Sequence, residues 1–125
     1  MLVTGGTLNK NGGHSPGKSV ELFFSNGTRL CSLPDLPGKR WLHSQTGLVT
    51  CGGAFISSYQ KSCVTFSAGR WKKTHTLGQR RYGHSAWASP RGVMLIGGYH
   101  IANTTELLAD NGNTTESFHL SNSRE

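Results

Sequence analysis

Residues 81–108 read RYGHSAWASPRGVMLIGGYHIANTTELL, and the order of residue types in this stretch decides the fold. Arg81-x-x-His84-Ser85 opens it, a Ser-Pro-Arg-Gly turn follows at 89–92, and an apolar run ends on Gly97-Gly98. A polar loop then leads to a strand that begins Thr105-Glu106-Leu107. The same order stands earlier: Arg40-x-x-His43-Ser44, Gly47, Leu48 to Cys51 closed by Gly52-Gly53, a loop, and Cys63-Val64-Thr65-Phe66. A third copy has lost its front: Leu2-Val3-Thr4-Gly5-Gly6, a loop, then Val20-Glu21-Leu22-Phe23. The two His-Ser pairs lie 41 residues apart, and the Gly-Gly pairs recur after 47 and 45. A period near ~45–50 with a glycine pair closing one strand of each unit is the signature of a propeller array.

Between these landmarks the chain reads as strands and turns, with no helical periodicity. Residues 7–18 and 54–62 carry turn chemistry and read as loops. Asn26-Gly27 between apolar runs predicts a hairpin, and Ala68-Gly69 a second turn. The second unit is expected to run as strands 41–45, 47–51, 63–67 and 70–75. The last unit is expected to run as strands 83–88, 92–97, 105–109 and 114–120. Leu33-Pro34-Asp35-Leu36-Pro37-Gly38 and Leu77-Gly78 read as crossings between units. This divides the chain into an incomplete unit 1–37, whole units 38–77 and 78–120, and a frayed tail 121–125.

Taken together, Arg-x-x-His-Ser, Gly-Gly, a Glu-bearing third strand and Gly-x-Trp at 69–71 resemble the kelch motif, over nearly the whole chain. The resemblance implies an all-β fold, a partial kelch-type β-propeller built from four-stranded antiparallel blades. It makes Arg40, His43, Gly52, Gly53, Trp71, Arg81, His84, Gly97 and Gly98 structural residues. Unit 1–37 then lacks its innermost strand. Leu30 falls where the second unit has Trp71, and Phe118 is the stand-in in the third. A propeller closes with about 4–8 blades, and an unpaired blade exposes a sheet edge. Further kelch blades, in the same or another chain, are therefore expected, and the sequence reads as a slice of something longer.

The formal charge of +7, from 13 Lys and Arg against 6 Asp and Glu, points to an acidic partner or to a solvated basic surface. Its densest cluster, Arg70, Lys72, Lys73, Arg80 and Arg81, straddles a strand and a turn rather than lining one platform, and no nucleic acid is expected. No run reaches the roughly 18–20 apolar residues of a membrane helix, so no membrane insertion is expected. His and Ser as strand neighbours point to opposite faces and cannot form a nucleophile–base pair. They are expected to tie strand to turn. Glu21 and Glu106 fall on matching strands, which predicts hydrogen bonds to a neighbouring blade rather than glycosidase chemistry. The cysteines and histidines lack metal-ligand spacing, and neither cofactor nor metal is expected. Cys51 and Cys63 fall roughly opposite one another on paired strands, as a disulfide if the compartment oxidises and otherwise as two buried thiols. Cys31 is left over.

Asn26, Asn103 and Asn113 each open an N-glycosylation sequon. With the cysteines they favour a secreted or extracellular protein over a cytoplasmic one. By the kelch resemblance, function lies in the loops joining second to third strands and in the crossings. His14, Lys18, Phe55, Tyr59, Tyr99 and His100 are the binding candidates, suited to a protein partner that is acidic or glycosylated. The reading is a non-catalytic protein–protein interaction module. The alternative is the substrate-recognition propeller of an intracellular cullin ubiquitin-ligase adaptor, which many kelch proteins are.

Overall fold

The computed structural model describes residues 1–10, 13–55, 58–101, 103–109 and 115–119. Every regular element among them is a β-strand, and there is no helix. In chain order, β1 (Leu2–Thr4), the hairpin β2 (Thr7–Lys10) and β3 (Gly13–Pro16), β4 (Val20–Phe23) and β5 (Arg29–Leu33) make the first third. Next come β6 (Ser44–Thr46), β7 (Val49–Cys51), the short hairpin β8 (Ala54–Phe55) and β9 (Ser58–Tyr59), β10 (Ser62–Ser67) and β11 (Arg70–Thr76). Then follow β12 (Ser85–Ser89), β13 (Gly92–Ile96), β14 (Thr104–Ala109) and β15 (Thr115–His119).

Besides the two-stranded hairpins β2-β3 and β8-β9, three larger antiparallel sheets result: a three-stranded one in the order β1-β4-β5, and four-stranded ones ordered β11-β10-β7-β6 and β12-β13-β14-β15. The glycine pairs fall where the structure leaves a sheet. Gly5, Gly52 and Gly97 all have positive φ and follow β1, β7 and β13 directly. The Ala68-Gly69 turn has φ +52° and +76°, the doubly left-handed geometry that joins two strands with the correct twist.

Burial follows from the period-two geometry of β10. Adjacent residues point to opposite faces, yet Cys63 and Val64 are both buried. Cys63 joins Cys51, Leu77, Leu95 and Leu108, a cluster shared with the third sheet. Val64 joins Val20 and Leu36, a cluster shared with the first sheet and the first crossing. The middle sheet is thus covered on both sides, while Val3 on β1 and Trp87 on β12 stay exposed. Each sheet buries its faces only against its neighbours, so the apolar core is divided between the two joints.

Three local expectations need correction. The stretches 7–18 and 54–62, read as loops, hold the hairpins β2–β3 and β8–β9, with registers Thr7↔Pro16 and Ala54↔Tyr59. Such short pairings satisfy backbone donors and acceptors locally and need no apolar alternation to form. The strand expected over 41–45 is confined to β6 at 44–46. Leu42 has φ +53°, which interrupts extended chain, and Trp41 instead makes an isolated bridge with Ala54.

Candidate functional site

Arg81 and Glu106 are among the most buried side chains of the chain, at 1% and 0% exposure. Their ion pair (Nε to Oε1, 3.0 Å) is surrounded by backbone. The Arg81 guanidinium also donates to the carbonyls of Gly97 (2.7 Å) and Thr104 (3.2 Å), pinning the Gly-Gly corner to the start of β14. The Glu106 carboxylate accepts from the N–H groups of Gly78 (2.9 Å) and Gln79 (3.1 Å) in the crossing from the second sheet. A buried ion pair is tolerated when further hydrogen bonds support it, and here backbone carbonyls and N–H groups flank both partners.

The second unit solves the same problem with different residues. Arg40 is equally buried and donates to Gly52 O, Ser62 O and Ser62 Oγ, each at 3.1 Å. The place of Glu106 in this sheet is taken by Val64, and the Arg40 Nε is left without a partner. Desolvation pushes the Arg40 pKa below its ordinary value. The crossing has changed in step. Leu36 and Leu77 occupy equivalent places, each buried and each donating its N–H to a lysine carbonyl, of Lys18 and Lys61. The residue after Leu36 is Pro37, where the third unit has Gly78. Proline has no N–H, so the donor that Glu106 satisfies is absent where the carboxylate is absent. Glu21 departs from expectation: it pairs with Arg29 (3.5 Å) within its own sheet, and both are exposed.

Neighbouring units are joined by a repeated set of bonds. Gly6 donates to the carbonyl of Arg40 (3.0 Å) and Gly53 to that of Arg81 (2.7 Å). His43 Nε2 meets Thr4 Oγ1 at 2.9 Å, and His84 Nε2 meets Ser44 Oγ at 2.7 Å. Each histidine therefore reaches a hydroxyl of the preceding unit, not the turn of its own. The approach is close: a Cβ on Gly52 would lie 2.4 Å from Arg81 O and 2.7 Å from the His84 ring. Burial disfavours the charged form of both imidazoles. The His84 pKa is lowered to about 4, by burial first and then by the Arg81 and His43 charges. That of His43 is lowered by burial and by Arg40.

Ser44 and His84 thus lie at nucleophile–base distance, although they belong to different units. The pair is a poor catalyst. A base with a pKa near 4 has little proton affinity at neutral pH, and the His84 Nδ1 has no partner to orient the ring. Ser44 is itself buried, which closes it to substrate.

Among the described residues, an exposed constellation forms where β9, the opening of the third unit and the turn after Gly98 converge. Tyr59 and Tyr82 are stacked with ring centroids 4.4 Å apart and planes 8° from parallel. Tyr82 and Tyr99 are 5.4 Å apart, and the His100 ring meets Tyr99 edge-on at 4.1 Å. Tyr59 is 42% and Tyr99 61% exposed. Arg80 donates to the Tyr59 carbonyl (3.3 Å) and leaves the rest of its guanidinium to solvent. His100 has φ +64°, a left-handed conformation uncommon for a residue with a Cβ. The Tyr82 hydroxyl is held above the ordinary phenol pKa, by loss of solvent and by its hydrogen bond with Tyr59.

The structure brings Tyr59, Tyr99 and His100 together from the sequence-derived candidates, and adds Tyr82 and Arg80. Tyr82 lies at x in Arg-x-x-His, a position a motif reading skips; its signal was an aromatic at the same place in both copies, Trp41 and Tyr82. Phe55 is half-buried on β8 and makes no ring contact with this group. Lys18 lies at the first crossing, paired with Asp35 at 3.5 Å. The side chain of His14 falls outside the described residues. Trp71 donates its Nε1–H to Pro34 O (2.8 Å) and packs against the core shared by the first and second sheets. Leu30 in the first sheet is half exposed and makes no such tie. The side chain of Phe118 falls outside the described residues. Cys51 and Cys63 are directly opposed across β7 and β10 and form a disulfide, while Cys31 is free and exposed. Asn26 sits in an exposed turn, Asn103 is exposed just before β14, and Asn113 lies outside the described residues. Comparison with family models and with curated protein sequences finds no match.

Proposed function

We propose that the chain is a portion of a kelch-type β-propeller that acts as a non-catalytic protein-interaction module. The Tyr59–Tyr82–Tyr99–His100 group is then its contact surface. The observation that carries the functional reading is this exposed ladder, built on strand ends that buried arginines and glycine corners hold in place. Rigid aromatic rings offer large contact area at little entropic cost, and tyrosine and arginine dominate binding energetics at protein interfaces. The propeller reading is supported by the joint between units: at both, a glycine N–H meets an arginine carbonyl and a histidine Nε2 meets a hydroxyl, of Thr4 in one and Ser44 in the other. The third sheet offers that joint again: the Gly98 N–H and the Ser85 hydroxyl have no partner among the described residues. A further unit with the same Arg-x-x-His opening would engage both. The Cys51–Cys63 bond fits an oxidising compartment. With sequons at exposed Asn26 and Asn103 it supports a secreted or extracellular setting over a cytosolic adaptor.

The experiment places a photo-crosslinking residue at Lys61, near the ladder, or at Lys72 on β11, in the protein expressed by secreting cells. A discrete adduct from position 61 but not 72, lost in Tyr59→Ala/Tyr99→Ala at unchanged melting temperature, is the expected outcome. Equal labelling from both positions, or none, refutes a ladder-centred contact.

A further inference from the structure

We infer that the joint between the second and third sheets holds a binding site for a small neutral aromatic molecule with one hydrogen-bond donor, of the indole type. The two joints are filled differently. In the first, Trp71 packs against the shared core, and Phe66, its partner across β10 and β11, meets its ring with centroids 5.3 Å apart. Phe66 lies two residues beyond Val64, as Leu108 lies two beyond Glu106, and the residue across from Leu108 is Thr115. Neither Leu108 nor Thr115 carries a ring. Beside Leu108 lies a cavity of about 240 Å³, with Val49 on β7 and Val93 on β13 as further apolar walls and Thr65, Thr74 and His75 as polar ones. An apolar cavity of ~150 Å³ takes up benzene, so this one has room for a two-ring molecule.

The polar wall selects a donor. His75 Nε2 lies 3.3 Å from the Ala109 carbonyl, which can only accept, so Nε2 carries the proton and Nδ1 of the neutral ring accepts. The Thr74 hydroxyl, 3.2 Å from Nδ1, therefore donates to it, and the Thr65 hydroxyl in turn donates to Thr74 Oγ1 at 2.8 Å. Every proton in this chain of bonds is used, and what the two threonine oxygens have left are lone pairs. A molecule seated beside them gains by donating an N–H, whereas an acceptor or a carboxylate would be desolvated with no proton to share. Trp71 makes the same combination of ring and donor in the first joint, where its Nε1–H reaches the Pro34 carbonyl at 2.8 Å. The ligand brings to the second joint what Trp71 supplies to the first.

The test is an NMR titration of the intact chain with indole, with benzofuran (the same two rings with an acceptor in place of the N–H) and with benzoate. Indole should shift the methyl resonances of Val49, Val93 and Leu108 saturably and give intermolecular NOEs to them. Benzofuran should bind about tenfold more weakly, the scale of one net hydrogen bond. Thr65→Val/Thr74→Val, which removes the acceptors, should bind the two alike. Leu108→Phe, which restores the ring found at Phe66, should abolish the indole NOEs without lowering the melting temperature. The NOEs are read on the unaltered chain, so they decide the matter even where a variant fails to fold. The inference is overturned if these methyls show no saturable shift, if benzofuran or benzoate binds as well as indole, or if Leu108→Phe folds and still binds. Shifts centred on Phe66 and Trp71 would place the ligand in the first joint and overturn it equally. None of these outcomes depends on the tyrosine group being a contact surface.

Discussion

Replacing Glu106 by valine would give the third unit the chemistry the second already has at Val64, without the changes that accompany it there. Three donors would lose their acceptor: Arg81 Nε and the N–H groups of Gly78 and Gln79. The second unit leaves Arg40 Nε unpaired, but Pro37 supplies no N–H where Gly78 does, and Ser62 Oγ accepts from a terminal guanidinium nitrogen. Removing one partner of a buried ion pair costs about 3–5 kcal/mol. With a urea slope of about 2 kcal/mol per molar, the unfolding midpoint of Glu106→Val should fall by roughly 2 M. The reciprocal change, Val64→Glu, places a carboxylate by the unpaired Arg40 Nε. It should be less damaging than Leu95→Glu, which buries the same charge with no guanidinium in reach. Equilibrium urea unfolding of the three variants checks both halves. A loss below about 1 kcal/mol for Glu106→Val, or equal damage from the two introduced glutamates, would refute the equivalence of the two sites.

Acid should loosen the joints between units. The folded pKa of His84 lies near 4, below the ordinary 6.5, so its stabilising contribution is complete above about pH 6.5 and is lost as pH falls towards 4. For His84 this amounts to on the order of 3 kcal/mol. Melting temperatures between pH 7 and 4 should drop less in His84→Gln than in the parent, and an equal drop would discount the histidine. Gly52→Ala should cost more than about 3 kcal/mol, because its Cβ would collide with the Arg81 carbonyl. Gly6→Ala, also at a positive φ but in open space, should cost only about 1–2 kcal/mol, as thermal unfolding would show. Ala68→Asn should raise stability by up to about 1 kcal/mol, since asparagine tolerates the φ of +52° in this turn better than alanine; a lower melting temperature would contradict it.

What a single sequence could settle here was set by short-range rules. Strand alternation, Asn-Gly and Ala-Gly turns, and glycine pairs at a fixed interval specify antiparallel sheets. The same repeat alignment put Cys51 opposite Cys63, because register within a sheet follows from counting along its strands. Hairpins β2–β3 and β8–β9 escaped because short local pairings carry no apolar pattern. Only the tertiary structure joined Ser44 to His84, Glu106 to the crossing at Gly78, and Tyr59 to Tyr82 and Tyr99. Each of these joins residues from different units, or from a strand and a distant crossing. Their distances depend on how one sheet lies against the next, a matter of packing shape that no spacing along the chain encodes. The sequence by itself determined the three larger sheets and the glycine corners that close β1, β7 and β13. The stacking of sheet on sheet decided which buried charges are paired and which exposed rings make one surface.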